Sequence, residues 1–483
     1  MEFMFVIAFF VFSVIFQGLY FVGQSVIASI VMILYTAYII YQRRCDLERS
    51  HAFFSLLGFT LIYVASVFYG VNQAGAVDEA LKAAGFLPAF LIGLWCTEVQ
   101  KEWVCKGIVI SGVIASLIGF AALSGIVHIP GALYGERMQS TFHYANVTAL
   151  YLMIGILFGL QFTAVRRTAG RIRLKALGSK EPLGKVRQVW RILKKWWGSI
   201  AVYLLICGLI LTYSRGVWLL FIFVNMFVLF SNKLLARKYD KLRYLYTLLI
   251  AVITSMLLAS GVQGFLFWLV LLLGALLCIL PCHVGNDLQK INFLASNRQP
   301  SIVNGEWPTD QHSFFDRCSR TKNAQLIKWS LMFLTLIPFG FCTMRLLNVR
   351  GGPLMPTEWV VRMAYYKGAV RLIFDYPLFG AGAAGWQILC EQYIGYYVKY
   401  VHNYFLQVLC DVGLVGFAFL AIFLACTVHC FLKKGQKDWY AYLVIMSILL
   451  HSLVDVAMHF QLISAILFLF CGIIMNKKDA NKH

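Results

Sequence analysis

Apolar runs of about a bilayer's thickness recur along the whole chain, and short clusters of lysine and arginine punctuate them. They fall near 3–20, 23–42, 53–70, 83–98, 107–127, 145–165, 198–213, 217–232, 244–260, 262–282, 326–343, 404–431, 439–458 and 460–475. A run of ~20 apolar residues is long enough for one helix to cross a membrane. With 60% hydrophobic and 13% charged residues, the chain could not keep its apolar surface out of water as a soluble domain. The pattern predicts an all-α, polytopic transmembrane helix bundle of about 12–14 spans, forming a single integral membrane domain over residues 1–483. The N-terminal run passes directly into a second one and has no small-residue cleavage site, so it is expected to be a retained span.

The net charge of +21 is a matter of topology and does not indicate nucleic acid, because the basic residues sit in blocks between spans. Placing both termini in the cytoplasm puts all but nine of the 42 lysines and arginines on the inner side, as the positive-inside rule requires. The inner segments then include a basic loop at 166–197, suited to anionic membrane lipid, and a polar loop at 283–325. The 13 cysteines are scattered among apolar residues without metal-ligand spacing and read as small hydrophobes. Three outer elements remain: the loop 128–145, the turn Ser214-Arg215-Gly216, and a large extracytoplasmic loop at 344–403, where a site is most readily built.

Arg215 interrupts two apolar runs at a membrane boundary. At mid-bilayer its charge would cost roughly 3 kcal/mol, so it must reach lipid phosphate, water or a ligand. Pro356-Thr357-Glu358 opens a helix expected over 358–374, with Arg362, Tyr366 and Ala369 on one face and Trp359, Met363 and Val370 as an apolar stripe against the membrane surface. Arg362 could serve lipid contact or an anion site, since a guanidinium grips phosphate oxygens as a fork. The run Gly380-Ala381-Gly382-Ala383-Ala384-Gly385 has the letters of a dinucleotide fingerprint but lacks the strand, helix and acidic residue that motif needs; Gly380 and Gly382 are expected to shape a turn presenting backbone N–H groups. His402-Asn403 stands where the outer loop enters a span, and an imidazole there can accept a proton from a sugar hydroxyl. His451 and Asp455 are four apart and are expected to share one face of the penultimate span, as a structural hydrogen-bonded pair or as a support for a nearby base; His459 follows. Asn146-Val147-Thr148 matches a glycosylation sequon but lies at the mouth of a span and carries no weight as one.

Four blocks together resemble the O-antigen ligase and polymerase family of bacterial envelope glycosyltransferases. They are Ser140 to Asn146, Tyr213 to Leu219, Asp375 to Gly382, and His402 to Gln407 followed by Asp411 to Gly416. The resemblance covers about 135–460 and departs at Phe142 to Asn146, where many relatives have Asn-Pro-Asn. It implies a GT-C-like fold in the bacterial cytoplasmic membrane, with an outward-facing cavity on the periplasmic or exterior side. The implied substrates are an undecaprenyl-pyrophosphate-linked oligosaccharide and an acceptor glycan hydroxyl, used without nucleotide sugar, metal or other cofactor. Carried over, His402 is the catalytic residue and Arg215, Arg362 and, less directly, Arg137 bind pyrophosphate. Asn403, Gly380, Gly382, His451 and Asp455 are expected to support them. Fixed cations on the leaving group and one base on the acceptor suffice for direct displacement, with no need of the two carboxyl groups of glycoside hydrolases. The competing expectation, a transporter for lipid-linked oligosaccharide, would call for broken helices in inverted repeats with polar groups at the midplane.

Overall fold

The computed structural model describes residues 2–43, 50–176, 185–231, 234–235, 238–279, 357–433 and 438–476. The expected span at 326–343, the loop at 283–325 and the first part of the 344–403 loop lie outside the described residues. The protein is an all-α membrane bundle. Among the described residues, five helices are long and apolar enough to cross a membrane, and seven further apolar helices are 10–17 residues long.

The first half comprises α1 (Glu2–Ile15), α2 (Val22–Arg43), α3 (His51–Tyr69), α4 (Gln73–Ala83), α5 (Phe86–Leu94) and α6 (Glu98–Leu123). A two-residue hairpin follows, β1 (Leu133–Tyr134) against β2 (Arg137–Met138), then α7 (Ala145–Ala176), α8 (Lys185–Leu211), α9 (Arg215–Phe230), α10 (Lys238–Ala259) and α11 (Gly264–Leu277). The last part holds α12 (Thr357–Asp375), α13 (Gly385–Ile394), α14 (Tyr404–Lys433), α15 (Trp439–Ser452) and α16 (Gln461–Met475). Polar caps fix several starts: Ser50 accepts the Phe53 N–H at α3, and Thr97 with Gln100 forms a capping box at α6.

Three elements differ from the expected spans. The apolar run 83–98 yields only the 9 residues of α5, which at ~1.5 Å per residue reach less than half of a ~30 Å hydrocarbon core. Its hydrophobicity serves burial instead. A methyl on Gly93 would lie 1.9 Å from the Leu469 carbonyl and one on Gly472 2.1 Å from the Phe90 carbonyl, so α5 and α16 touch backbone to backbone. The basic segment 166–197 is in its described parts a continuation of α7 and α8, as its content of Arg, Leu, Lys, Ala and Gln favours. Finally, α15 ends at Ser452, so Asp455 sits in the turn before α16 and not on a helical face with His451. There its carboxylate accepts the Val456 N–H at 2.7 Å, the local backbone bond with which aspartate competes against helix.

Two of the sequence blocks are bonded to each other. Helix α14 breaks at Gly413 (φ 63°, ψ −165°), which would leave backbone groups unpaired inside an apolar bundle. The segment 377–381 supplies the partners: Leu414 N–H donates to Pro377 O (2.9 Å), Val415 N–H to Leu378 O (3.1 Å) and Ala381 N–H to Cys410 O (2.8 Å). The corner between α3 and α4 holds the same segment from its other side. Tyr69 Oη donates to Phe379 O (2.7 Å), Val71 N–H to Ala381 O (2.9 Å) and Asn72 Nδ2 to Ala384 O (3.2 Å).

Candidate functional site

Asp455 is the centre of the site. Its Oδ1 accepts the Tyr144 hydroxyl at 2.9 Å as well as the Val456 N–H, and its Oδ2 accepts Asn146 Nδ2 at 2.5 Å. Helix α12 contributes Arg362, whose Nη2 lies 3.7 Å from Oδ2 and whose Nη1 donates to the Val454 carbonyl. Burial alone would raise the carboxyl's pKa, but His451, Arg362, the Val456 N–H and His402 together hold it below the usual carboxylate value. Asp455 is therefore an anion enclosed by donors.

Asn146 carries the network onward. Its Oδ1 accepts Arg137 Nη2 at 3.3 Å and the Ser214 hydroxyl at 2.8 Å. Arg137 is delivered by the β1–β2 hairpin and also donates from Nε to the Thr212 carbonyl at 3.2 Å. Ser214 precedes Arg215, the first residue of α9, where the positive φ of Tyr213 (50°) turns the chain from α8 into α9. One amide thus ties the hairpin, the Ser-Arg-Gly turn and the Asp455 turn together. In the sequence Asn146 stands out as part of a sequon and as the last residue of the Ser140 to Asn146 block, with no role for its own side chain. The usable signal was an amide placed where an apolar helix begins, which needs a polar partner there.

His402 stands beside this cluster in a left-handed conformation (φ 60°). For a residue with a Cβ this costs roughly 1–2 kcal/mol, and such strain gathers where the surroundings over-determine the backbone. The surroundings are on both sides of it. Val401 N–H donates to Gln407 Oε1 (3.0 Å), the His402 carbonyl accepts the Tyr366 hydroxyl (3.2 Å), and Asn403 Oδ1 caps α14 by accepting the Phe405 and Leu406 N–H groups (3.0 and 3.1 Å). The Tyr365 ring stacks over the imidazole, with centroids 5.8 Å apart at 24°. Nδ1 of His402 is buried without a hydrogen-bond partner, as is Nδ1 of His451. Burial pulls the His402 pKa down, Asp455 works against that and Arg362 works with it, so the net shift is below the ordinary value. A neutral imidazole with an unused nitrogen is a competent proton acceptor near neutrality.

Helix α12 covers the expected 358–374, with Ala369 buried and Trp359, Met363 and Val370 exposed as the expected stripe. It brings Arg362, Tyr365 and Tyr366 to Asp455 and His402 within two turns. Gly380 and Gly382 are placed differently from these residues. A methyl on Gly380 would lie 2.6 Å from the Cys410 carbonyl oxygen and one on Gly382 2.2 Å from Gly70 Cα. Both have positive φ (72° and 86°), and they let the 377–384 segment press against α14 and the α3–α4 corner. Among the described residues no three His, Cys, Asp or Glu side chains converge as a metal-binding group.

The fold and site define a polytopic membrane protein with an arginine, aspartate and histidine cluster assembled at the helix ends. Residues 200–421 match the family described as O-antigen ligase. The match contains the Ser-Arg-Gly turn, α12, the glycine turn, His402 and the break at Gly413. No curated protein is similar enough to the chain to count as a match.

Proposed function

We propose that the protein transfers or polymerises an undecaprenyl-pyrophosphate-linked glycan onto an acceptor hydroxyl at the exterior face of a bacterial cytoplasmic membrane, with both termini in the cytoplasm. Polymerisation of a surface polysaccharide is the preferred form. The observation that carries the reading is the single polar network joining segments far apart in the chain: Arg362 and Asp455 beside His402, and Asp455 through Asn146 to Arg137 and Ser214. The match of residues 200–421 to the O-antigen ligase family gives ligase-type activity its support.

In this mechanism the His402 imidazole accepts the proton of the acceptor hydroxyl as its oxygen attacks the anomeric carbon. The bond from that carbon to the pyrophosphate oxygen breaks, and the configuration inverts. The departing diphosphate gathers negative charge, which Arg215, Arg362 and Arg137 neutralise. Cations fixed in a low-dielectric setting do this with little reorganisation, so the step needs neither a metal nor a nucleotide sugar. Asp455 orients Arg362 and offsets its charge near His402.

Purified protein mixed with lipid-linked repeat units tests the reading, with chain growth followed on gels. Growth by the wild type and its loss in His402→Ala and Arg215→Ala is the expected outcome. Equal product from all three would remove these residues from the mechanism, and movement of the lipid-linked glycan without bond formation would replace the enzyme by a transporter.

A further inference from the structure

A second buried polar cluster lies beside His402 and outside the 200–421 segment. Helix α4 carries Glu79 and Lys82, whose side chains pair at 2.8 Å while only 14% and 7% exposed. Taking two charges out of water is costly, and a pair whose only role was to fasten one turn of α4 to itself would be better placed at the surface. The carboxylate has a second neighbour. His459 Nδ1 lies 3.9 Å from Glu79 Oε2, and the imidazole is 6% exposed. The end of α4 also holds the residues after His459, since Gln461 Nε2 donates to the Lys82 carbonyl at 3.0 Å.

His459 in turn touches both aromatic residues that bracket His402. The Tyr400 ring lies flat on its imidazole, with centroids 3.9 Å apart at 22°, and the Tyr404 ring meets it edge-on at 6.1 Å and 76°. These tyrosines stand two residues before and two residues after His402, which itself holds a positive φ. A left-handed residue between two anchored rings has its backbone position set by the surface on which those rings rest.

We propose that Glu79 and His459 are positioning residues for His402: Glu79 fixes the imidazole of His459, and that imidazole fixes Tyr400 and Tyr404 and so the turn between them. The proposal rests on the reading of His402 as the base. Charges around Glu79 agree with it. Burial would raise the carboxyl's pKa, but Lys82 and His459 lower it to about 2, so Glu79 is an anion at any working pH. Burial keeps His459 below its ordinary value and hence neutral, so it serves as a flat polar surface and not as a second cation.

The full-length protein with lipid-linked repeat units gives the test, using Glu79→Gln and the double variant Glu79→Gln/Lys82→Met. The double variant removes the stranded ammonium that would otherwise destabilise the single one. Both are expected to lose about tenfold or more in kcat with KM unchanged, because misplacing a reacting group by ~1 Å costs up to ~100-fold in rate. The melting temperature of the double variant should return close to that of the wild type while kcat does not. Carbethoxylation of His402 by diethyl pyrocarbonate, read by mass spectrometry, should quicken in both variants. Wild-type kcat in the double variant, with His402→Ala inactive, would overturn the positioning role alone and leave Glu79 as a counter-ion for Lys82. Wild-type turnover in His402→Ala would overturn the base assignment and the positioning role with it.

Discussion

Replacing Asp455 by asparagine changes no volume and removes one charge, yet the geometry makes it disruptive. The new amide oxygen can keep the Oδ1 position, where it still accepts the Tyr144 hydroxyl and the Val456 N–H. The amide nitrogen then occupies the Oδ2 position and points its hydrogens at Asn146 Nδ2, also a donor, 2.5 Å away in the native protein. Asn146 cannot relieve the clash by flipping, because its Oδ1 already accepts Arg137 and Ser214. A charge-assisted bond is lost and a buried donor is stranded, together about 3 kcal/mol. The Arg362 pair adds little, at 3.7 Å with its guanidinium side partly exposed. Thermal unfolding in detergent should show a lower melting temperature, and chain growth should fall because the turn at 455 is no longer tied through Asn146 to Arg137 and the Ser-Arg-Gly turn. The exchange Asn146→Asp/Asp455→Asn restores a donor facing an acceptor, with Arg137 and Ser214 now donating to a carboxylate, and should recover most of the stability. Unchanged stability in Asp455→Asn, or strict additivity in the double-mutant cycle, would refute the reasoning.

Other outcomes follow from the same structure. Gly382→Ala places a methyl 2.2 Å from Gly70 Cα at a φ of 86°, so strain and overpacking should cost about 2–4 kcal/mol, read as a fall in melting temperature; an unaltered melt would mean that the two backbones are not in contact. The acid limb of kcat/KM should lie below the ordinary histidine value of 6.5, because burial lowers His402, and Arg362→Gln should move it upward by removing a cation that lowers it further; a limb that does not move would separate Arg362 from the base. Glu79 titrates at about 2 in the folded protein against an ordinary 4.5. Its stabilisation is therefore complete above about pH 4.5 and lost as the pH falls toward 2, so melting temperatures at pH 6 and pH 3 should differ more for the wild type than for Glu79→Gln/Lys82→Met.

Hydropathy made the helices legible, because each apolar run must bury or span. It could not separate those two uses, which is why the run 83–98 reads as a span while the nine residues of α5 pack against α16 through Gly93 and Gly472. The face of α12 was legible too, since Arg362, Tyr366 and Ala369 recur at helical spacing and the amphipathic pattern fixes which side turns inward. The bond between the 377–381 and 410–415 segments was not, because hydrogen bonds between a turn and the break in a helix leave no periodicity in either. Asp455 was placed on a helix that its own bond to Val456 helps to end. Glu79 and Lys82 passed unnoticed for a related reason: an i,i+3 pair on a short polar helix looks like a solvated face until His459, far along the chain, is packed on it.

Transfer at the outer face requires the cluster to open on the exterior side of the membrane. Tyr397, 58% exposed and five residues before His402, offers a direct probe. A cysteine at 397 in intact cells should react with a membrane-impermeant maleimide, above the level seen in the parent protein with its native cysteines. Labelling that appears only after the membrane is permeabilised would place the site in the cytoplasm and contradict transfer at the outer face.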